Sequence, residues 1–402
     1  MVSYHAPAWG FGGPVRMMFD YAQWMKDQFA VRVFAGNINH DYGKYEAKEE
    51  TLEGIVIRRY HVFFRSMVRR SIILTSPRLF FDVCKIVKSA HKTTILHVCE
   101  LRGPINIYAA LLKKLFGRKI LLVHSAFGML HDKKSLFRDI YDLLFMKFFL
   151  HHIDLALAQN QHEIIEYNRF FSKYHLNPGS KIKLLHLHTR HLSSDSPAGS
   201  SSPKNPEVVA GLRIKYGVNK DADVMMFLGR LHPGKGIMRA IDTFVEYSKQ
   251  SRKPCQLLIV GRDEGFQHDV ERYISSRHLG NQIRIVNNVF DNRFDYYTLA
   301  DVFLGFPTIY EETMLASVEA LSCGTPILVS KEADIPFVEE EGAGFVVDYH
   351  VETTVKILEQ IFQSLPNFQQ KAFNAVRHHF AAPQASDLMK NIFTEKMSEL
   401  NA

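Results

Sequence analysis

The chain has 402 residues, 46% hydrophobic and 23% charged, so it is an ordinary globular protein that is large enough for two domains. Its four cysteines include no CxxC pair, which argues against a disulfide framework or a zinc module and predicts a reducing, cytoplasmic setting. The first residues lack the apolar stretch of a secretory leader, and no apolar run is long enough to predict a membrane span.

The net charge of +7 is unevenly distributed along the chain. Residues 1–190 contain 28 Lys and Arg against 15 Asp and Glu, a net charge of +13, whereas residues 191–402 contain 21 against 27, a net charge of −6. Aromatic and cationic side chains alternate in the basic half, which is consistent either with solvated helix faces or with a surface for an anionic membrane or an anionic acceptor. We predict peripheral membrane association, and no nucleic-acid partner because no reader motif is present.

Short apolar runs alternate with amphipathic helical patterns along both halves of the chain. The first half has a helical pattern at 15–27 and strand candidates at 31–36, 95–99, 119–124 and 154–158. The second half has a helical pattern at 237–249 and strand candidates at 224–229, 256–261, 283–286, 302–306 and 326–330. This alternation predicts an α/β protein with two Rossmann-like, doubly wound parallel-sheet domains that face a central cleft.

The Ser- and Pro-rich segment 191–207 is the predicted linker between these domains. It separates an N-terminal domain at 1–190, expected on the acceptor side, from a C-terminal domain at 208–380. Residues 381–402 are predicted to form a helix that packs back on the N-terminal domain.

Glycines and cations follow several predicted strands. In AWGFGGPVR (8–16), Gly12 and Gly13 precede a helix whose first amides favour a phosphate. A tight strand–helix turn would explain this motif equally well. In FLGRLHPGKG (227–236), Gly229 is followed by Arg230 and Lys235, a pair of cations suited to stabilising a departing diphosphate.

Two further stretches contain candidate binding residues. LLIVGRDEGF (257–266) ends its strand at Gly261, where a simple turn is the alternative. In YEETMLASVEALSCGTP (310–326), the acids Glu311 and Glu319 lie at the two ends of an apolar segment. Paired carboxylates suit vicinal hydroxyls of a sugar or a ribose, although Glu319 taken alone would also fit a structural ion pair or a partly exposed helix face.

Taken together, these motifs resemble the retaining, nucleotide-sugar-dependent glycosyltransferases of family 4 (glycosyl transferases group 1), which have the GT-B fold. The resemblance rests on the order and spacing of FLGRLHPGKG, LLIVGRDEGF, ADVFLGFPTIYEE, VEALSCGTPILVS and GAGFVV between about 227 and 347, with AWGFGGPVR as the N-terminal glycine loop. It implies that Glu311 and Glu319 are the family's E-x7-E pair, which contact the donor sugar and the nucleotide ribose.

The resemblance also implies roles for the remaining candidates. The predicted catalytic residues are Arg230, Lys235 and Glu311. The predicted donor-binding residues are Gly12, Gly13, Gly229, Gly261, Thr313, Met314, Leu315 and Glu319. His124 and Phe127, in HSAFGML (124–130), fall where the family often places a His or Arg before a Gly on the acceptor side.

The sequence departs from the family pattern directly after the first acid. The family usually has Glu-Gly-Phe-Gly there, whereas Glu311 is followed by Glu312, Thr313 and Met314. Glu312 adds a negative charge near the expected phosphate, and the loop loses the small residues that let backbone amides approach it.

A metal is not expected. His186, His188 and His191 in LLHLHTRH have a loose ligand spacing, but no carboxylate or cysteine accompanies them, which favours a structural or cleft-edge role. Because no convincing Asp-x-Asp follows a strand, we predict metal-independent catalysis without a cofactor, in which Arg230 and Lys235 supply the positive charge.

The motifs and this resemblance therefore predict a glycosyltransferase (EC 2.4 class) that moves a hexosyl or related sugar from a nucleotide-diphosphate sugar to an acceptor hydroxyl. The resemblance implies that the configuration of the sugar is retained. The acceptor would be a carbohydrate or a lipid-linked molecule, as in polysaccharide or glycan biosynthesis. The alternatives are a nucleotide-sugar epimerase on the same fold and a catalytically weak nucleotide-sugar-binding subunit.

Overall fold

A computed structural model of the chain describes residues 13–39, 43–63, 74–99, 102–127, 136–189, 204–287, 289, 292–311 and 314–401. The chain divides into two compact units, one formed by Met1–Leu187 with Pro383–Ala402 and the other by His188–Ala382. Most of the predicted linker at 191–207 lies outside the described residues.

Strands and helices alternate through both units. The strands are β1 (Arg32–Gly36), β2 (Glu49–Leu52), β3 (Ile55–Tyr60), β4 (Val62–Phe63), β5 (Leu74–Thr75), β6 (Thr94–Cys99), β7 (Ile120–Ser125), β8 (Leu155–Ala158), β9 (Ile182–Leu184), β10 (Asp223–Leu228), β11 (Cys255–Val260), β12 (Ile283–Val286), β13 (Val302–Gly305), β14 (Ile327–Ser330) and β15 (Gly344–Val347). The helices are α1 (Gly13–Met25), α2 (Arg78–Ser89), α3 (Pro104–Phe116), α4 (Leu136–Tyr141), α5 (Lys147–His152), α6 (Gln161–Lys173), α7 (Pro206–Lys215), α8 (Ile237–Gln250), α9 (Gln267–Ser276), α10 (Arg293–Leu299), α11 (Leu315–Ser322), α12 (Val351–Gln363), α13 (Leu365–His379) and α14 (Ala382–Asn401).

The first unit is built on parallel strands. β6, β7, β8 and β9 form a parallel sheet in that order, and β7 is buried along its whole length. β1 pairs parallel to β3, which pairs antiparallel to β2, and β4 pairs antiparallel to β5. The four strands predicted in this half are confirmed by β1, β6, β7 and β8, while the hairpin of β2 and β3 was not predicted.

The second unit has one six-stranded, wholly parallel sheet in the order β12-β11-β10-β13-β14-β15. Counted along the chain from β10, this is the order 3-2-1-4-5-6 of a dinucleotide-binding Rossmann sheet. The five strands predicted in this half are confirmed within one or two residues. The order reverses between β10 and β13, which is where ligands bind in open parallel sheets.

Burial explains why the strands of the second unit were readable from the sequence. The neighbours Met225 and Met226 in β10, and Ile259 and Val260 in β11, point to opposite faces of the sheet and are all buried, as expected for a parallel sheet that is covered on both faces. α8 and α12 pack against this core with their apolar faces, and their outward faces are polar. The predicted α/β fold with doubly wound parallel sheets is therefore confirmed.

The C-terminal helix α14 belongs to the first unit. The hydroxyl of Ser386 donates a hydrogen bond of 2.9 Å to the carbonyl of Trp24, and Lys396 Nζ donates one of 3.1 Å to Ser180 Oγ. The two segments by which the chain enters and leaves the second unit lie side by side, because the amide of Thr189 donates to the carbonyl of Phe380 at 2.9 Å.

Candidate active site

Two glycines bring the ends of β10 and β11 close together. Gly229 follows β10, and its amide donates to the carbonyl of Val260 at 3.0 Å. A Cβ on Gly261, which follows β11, would lie 1.7 Å from the carbonyl oxygen of Gly229, so no side chain fits there. Both predicted glycines therefore serve a close approach of two backbones at the carboxyl edge of the sheet.

The amino end of α8 is fixed against the segment that leaves β13. Gly236 precedes α8 in a left-handed conformation (φ 72°), and a Cβ there would lie 1.7 Å from the carbonyl oxygen of Phe306. The amide of Thr308 donates to the carbonyl of Gly234 at 3.0 Å, and Arg239 donates to the carbonyl of Pro307 at 2.9 Å. The loops after β10 and β13 thus form one framework at the point where the strand order reverses.

Lys235 and Glu311 meet in this framework. Lys235 lies at the end of a short 3-10 turn (Pro233–Lys235), and its Nζ is 2.5 Å from Glu311 Oε1. The two side chains are only 21% and 15% exposed. A partly buried cation beside a carboxylate, next to a helix amino end, can bind a diphosphate with one group and a sugar hydroxyl with the other.

Arg230 is paired with a different acid. Its guanidinium donates to Glu264 Oε2 at 2.8 Å, and half of the Arg230 side chain is exposed. Glu264 is held nearby because its amide donates to the carbonyl of Leu231 at 3.2 Å. The two predicted cations are therefore each neutralised by their own carboxylate, and Glu264 was not identified from the sequence.

Asp263, beside Glu264, organises the start of α9. Its Oδ1 accepts hydrogen bonds from the amides of Gly265, Phe266 and Gln267 at 2.8 to 3.0 Å. Partial burial alone would raise the pKa of Asp263, but these three hydrogen bonds outweigh it and lower the pKa below its usual value. The loop after β11 thus has a defined backbone conformation beside the candidate cations.

Glu319 is buried in α11 and bonded through both oxygens. Arg293 donates to Oε1 at 2.9 Å, and the hydroxyl of Tyr297 donates to Oε2 at 3.1 Å. These two contacts hold the carboxylate of Glu319 in one orientation. The sequence left open whether Glu319 forms a structural ion pair, and in the structure it forms one with Arg293. The ribose-binding role of Glu319 stays a prediction.

Backbone hydrogen bonds tie Glu311 and Met314 to the turn that follows β14. The amide of Glu311 donates to the carbonyl of Glu332 at 2.7 Å, and the amide of Met314 donates to the carbonyl of Ala333 at 3.1 Å. Leu315 begins α11 directly after Met314. Gly13 begins α1, while Gly12, Glu312 and Thr313 lie outside the described residues, so the predictions on Gly12 and Thr313 stay predictions.

In the first unit, the predicted acceptor-side residues lie at the end of β7. His124 is fully buried, and its Nδ1 lies 2.9 Å from the hydroxyl of Tyr167, which favours a packing role. Phe127 has a left-handed backbone conformation (φ 48°), which is rare for a bulky residue and is found preferentially at functional sites. This conformation keeps Phe127 as a candidate.

A second buried histidine near His124 was not singled out from the sequence. His97 Nε2 lies 2.8 Å from Ser125 Oγ, and the ring of Tyr21 stacks on His97 with 5.6 Å between centroids. Burial lowers the pKa of His97 well below its usual value, so it is neutral at physiological pH. His97 lies within β6, and the sequence there shows only the apolar run of a buried strand.

The histidines of LLHLHTRH fall in different places. His186 Nδ1 lies 3.0 Å from the carbonyl of Gln159, and His188 is buried. His191 lies outside the described residues. Among those that are described, neither His186 nor His188 belongs to a cluster of potential metal ligands.

The fold and the site together define a class of protein. Solved structures that share the architecture over nearly the whole chain are two-domain GT-B glycosyltransferases. They include sucrose-phosphate synthase of Thermosynechococcus elongatus (TM-score 0.73, 16% identity, 99% and 98% of the two chains covered) and Anabaena HepE in complex with UDP-glucose (TM-score 0.66, 15% identity, 98% and 99% covered). The chain therefore has a GT-B-like fold.

Residues 210–376 are similar to the family described as "Glycosyl transferases group 1". Curated relatives include D-inositol 3-phosphate glycosyltransferase 2 of Catenulispora acidiphila (26% identity, 47% of each chain covered) and alpha-monoglucosyldiacylglycerol synthase of Acholeplasma laidlawii (30% identity, 39% of each chain covered). The chain spans about half the length, or less, of the curated relatives it matches.

Proposed function

We propose that the protein is a glycosyltransferase that takes its sugar from a nucleotide-diphosphate sugar bound by the second unit. The observation that carries the proposal is the meeting of Lys235 and Glu311, 2.5 Å apart, where the strand order of a Rossmann sheet reverses. HepE, which shares the fold, was solved with UDP and with UDP-glucose, which supports a nucleotide-sugar donor.

The division of labour follows from the charges at the site. Lys235 and Arg230 stabilise the departing diphosphate, and their pairing with Glu311 and Glu264 keeps these cations oriented before the donor binds. Glu311 orients the donor sugar, and Glu319, held by Arg293 and Tyr297, accepts a hydrogen bond from the ribose. The acceptor is assigned to the first unit.

In this mechanism the acceptor hydroxyl attacks from the face that the diphosphate leaves, so the configuration of the sugar is retained and the reaction proceeds without a metal. Retention and metal independence are tested together. The anomeric configuration of the product is determined by NMR, and the rate of transfer is compared with and without EDTA. An inverted product, or loss of activity in EDTA that added Mg²⁺ restores, would contradict this mechanism.

Transfer is separated from the alternative functions by a panel of nucleotide sugars. Nucleotide release that requires an acceptor supports transfer, whereas formation of a sugar isomer without nucleotide release supports an epimerase. Binding without turnover would identify a binding subunit. The relatives named above are transferases and synthases, which favours transfer.

Features of the first unit favour a more specific form of this proposal, in which the acceptor is bound to a membrane. Ile140, Leu143 and Leu144 are 49%, 81% and 61% exposed on the helical segment that runs from α4 to α5 through a π-helical turn (Asp142–Met146). Exposed leucines in the half of the chain that carries a net charge of +13 suit the interface of an anionic membrane. Among the described residues, no helix combines the length and the apolar character that a bilayer span requires.

Vesicle flotation tests the membrane surface. The protein should bind vesicles that contain an anionic lipid more strongly than vesicles of phosphatidylcholine alone. The double variant Leu143→Ser/Leu144→Ser should lose most of this binding, whereas Ile214→Ser, an equally exposed apolar residue on α7, should keep it. Equal binding by both variants and the wild type would contradict this surface.

A further inference from the structure

Three potential metal ligands converge at the end of α13, in a place that the proposed reaction does not use. His378 and His379 are the last two residues of α13, and Glu341 lies shortly before β15. His379 Nε2 is 2.7 Å from Glu341 Oε1, and His378 Nδ1 is 3.4 Å from both Glu341 oxygens. One ligand atom from each of the three residues lies within 4.8 Å of the other two.

We propose that Glu341, His378 and His379 bind a divalent late first-row transition-metal ion, for which Zn²⁺ is the probe. Two imidazole nitrogens and one carboxylate oxygen are the donor set that such ions prefer, whereas Mg²⁺ and Ca²⁺ prefer oxygen alone. In a tetrahedral site with bonds of about 2.0–2.1 Å, neighbouring ligand atoms are roughly 3.4 Å apart. The two separations from Glu341 are at or below that value, and the imidazole nitrogens lie within 4.8 Å of each other. An ion therefore fits when the contact between His379 and Glu341 widens and the two imidazoles move to the tetrahedral spacing.

The carboxylate is presented by a rigid turn. The amide of Glu341 donates to the carbonyl of Phe337 at 3.0 Å, and the amide of Ala343 donates to the carbonyl of Val338 at 2.8 Å. Gly342 closes the turn in a left-handed conformation (φ 64°), which glycine adopts without strain. Backbone hydrogen bonds therefore fix the position of Glu341. Metal binding has to order little of this segment, so the entropic cost of binding is small.

The imidazole of His379 is fixed from the same turn. Its ring stacks on that of Phe337, with 4.1 Å between centroids and 9° between planes. His378 is more exposed, at 61% of its side chain, so water can complete the coordination. Three protein ligands with water in the fourth position is an arrangement that zinc adopts in proteins.

A bound ion would stabilise the second unit at the place where the chain leaves it. Phe380, which follows His379 directly, accepts a hydrogen bond from the amide of Thr189 in the segment that enters the unit. The ion would join the end of α13 to the turn before β15. A ligand that binds only the folded state raises its stability by mass action, so Zn²⁺ should raise the melting temperature.

The proposal is tested by calorimetric titration of untagged full-length protein with Zn²⁺ near pH 7.5. We expect saturable binding of one equivalent that Mg²⁺ does not displace. Glu341→Gln, which keeps the shape of the side chain, and His379→Ala should each weaken binding at least about tenfold, since changes even behind metal ligands have effects of this size. Binding of Co²⁺ should give visible absorption bands in the wild type that both variants lose.

The matched control is the double variant His151→Ala/His152→Ala. These histidines are also consecutive and also end a helix, α5, so they reproduce the histidine pair at a different place. The control should bind Zn²⁺ as the wild type does. Circular dichroism verifies folding of each variant, and Glu341→Gln carries the test if His379→Ala does not fold. Absence of saturable binding, or equal binding by the wild type and Glu341→Gln, would overturn the proposal.

Discussion

Replacing Lys235 by Ala tests the candidate donor site most directly. The substitution removes the cation that lies 2.5 Å from Glu311 in a partly buried position. A charge-assisted hydrogen bond to a phosphate contributes about 1.5–3 kcal/mol, which corresponds to a loss of roughly 10- to 150-fold in affinity for a nucleoside diphosphate. The loss should be near the upper end, because Glu311 then repels the diphosphate without its counter-charge.

Calorimetric titration with UDP, and with ADP and GDP if UDP does not bind, measures this loss. Lys249→Ala is the matched control, since Lys249 Nζ also lies 2.5 Å from a glutamate, Glu246, but on the exposed face of α8. Exposed pairs of this kind contribute less than about 1 kcal/mol, so the control should bind the nucleotide nearly as the wild type does. If Lys235→Ala binds within about twofold of the wild type, Lys235 does not contact the diphosphate and the assignment fails.

Three further substitutions test the site and its surroundings. Glu319→Gln removes the charge that Arg293 faces at 2.9 Å, so it should lower the free energy of unfolding by about 3 kcal/mol in urea titrations and also weaken UDP binding. A variant unchanged in both measurements would contradict both the structural role and the ribose-binding role of Glu319. Gly261→Ala should destabilise the fold by at least about 1–3 kcal/mol, because its Cβ would clash with the backbone. Gly211→Ala, inside α7 with open space around it, should stabilise the fold by up to about 1 kcal/mol. A change of the same sign in the free energy of unfolding of both variants would refute the packing argument. Burial lowers the pKa of Lys204 to about 8, below its value of 10.5 in the unfolded chain. Between these two pH values the unfolded state binds more protons than the folded state, so the free energy of unfolding should rise with pH by up to about 1.4 kcal/mol per pH unit. Urea titrations across this window should show the rise in the wild type and not in Lys204→Met.

The sequence predicted the parallel strands well because most of them are buried on both faces and therefore read as continuous apolar runs. The hairpin of β2 and β3 was missed for a local reason. Its two-residue turn consists of Glu53 and Gly54, both with positive φ, and Glu is not among the residues that usually mark such a turn. Its edge strand β2 is also charged and partly exposed, so it gives no apolar alternation.

The candidate site could be predicted only as far as local motifs extend. Lys235 and Glu311 were identified because each belongs to a recognisable stretch. The partners of Glu319 were not, since Arg293 and Tyr297 come from α10 and lie 26 and 22 residues earlier. Their spacing of four residues places them on one face of a helix, which is a weak signal until the sheet brings α10 beside α11.

The backbone hydrogen bonds of Glu311 and Met314 have a consequence for how the site tolerates change in its sequence. Both join a backbone amide to a backbone carbonyl, of Glu332 and Ala333, so they do not depend on which side chains stand at positions 311 and 314. A substitution of Glu311 therefore leaves its amide bonded to Glu332, and a substitution of Met314 leaves the residue before α11 bonded to Ala333. The carboxylate beside Lys235 can thus be exchanged for another group while the main chain that carries it keeps its place.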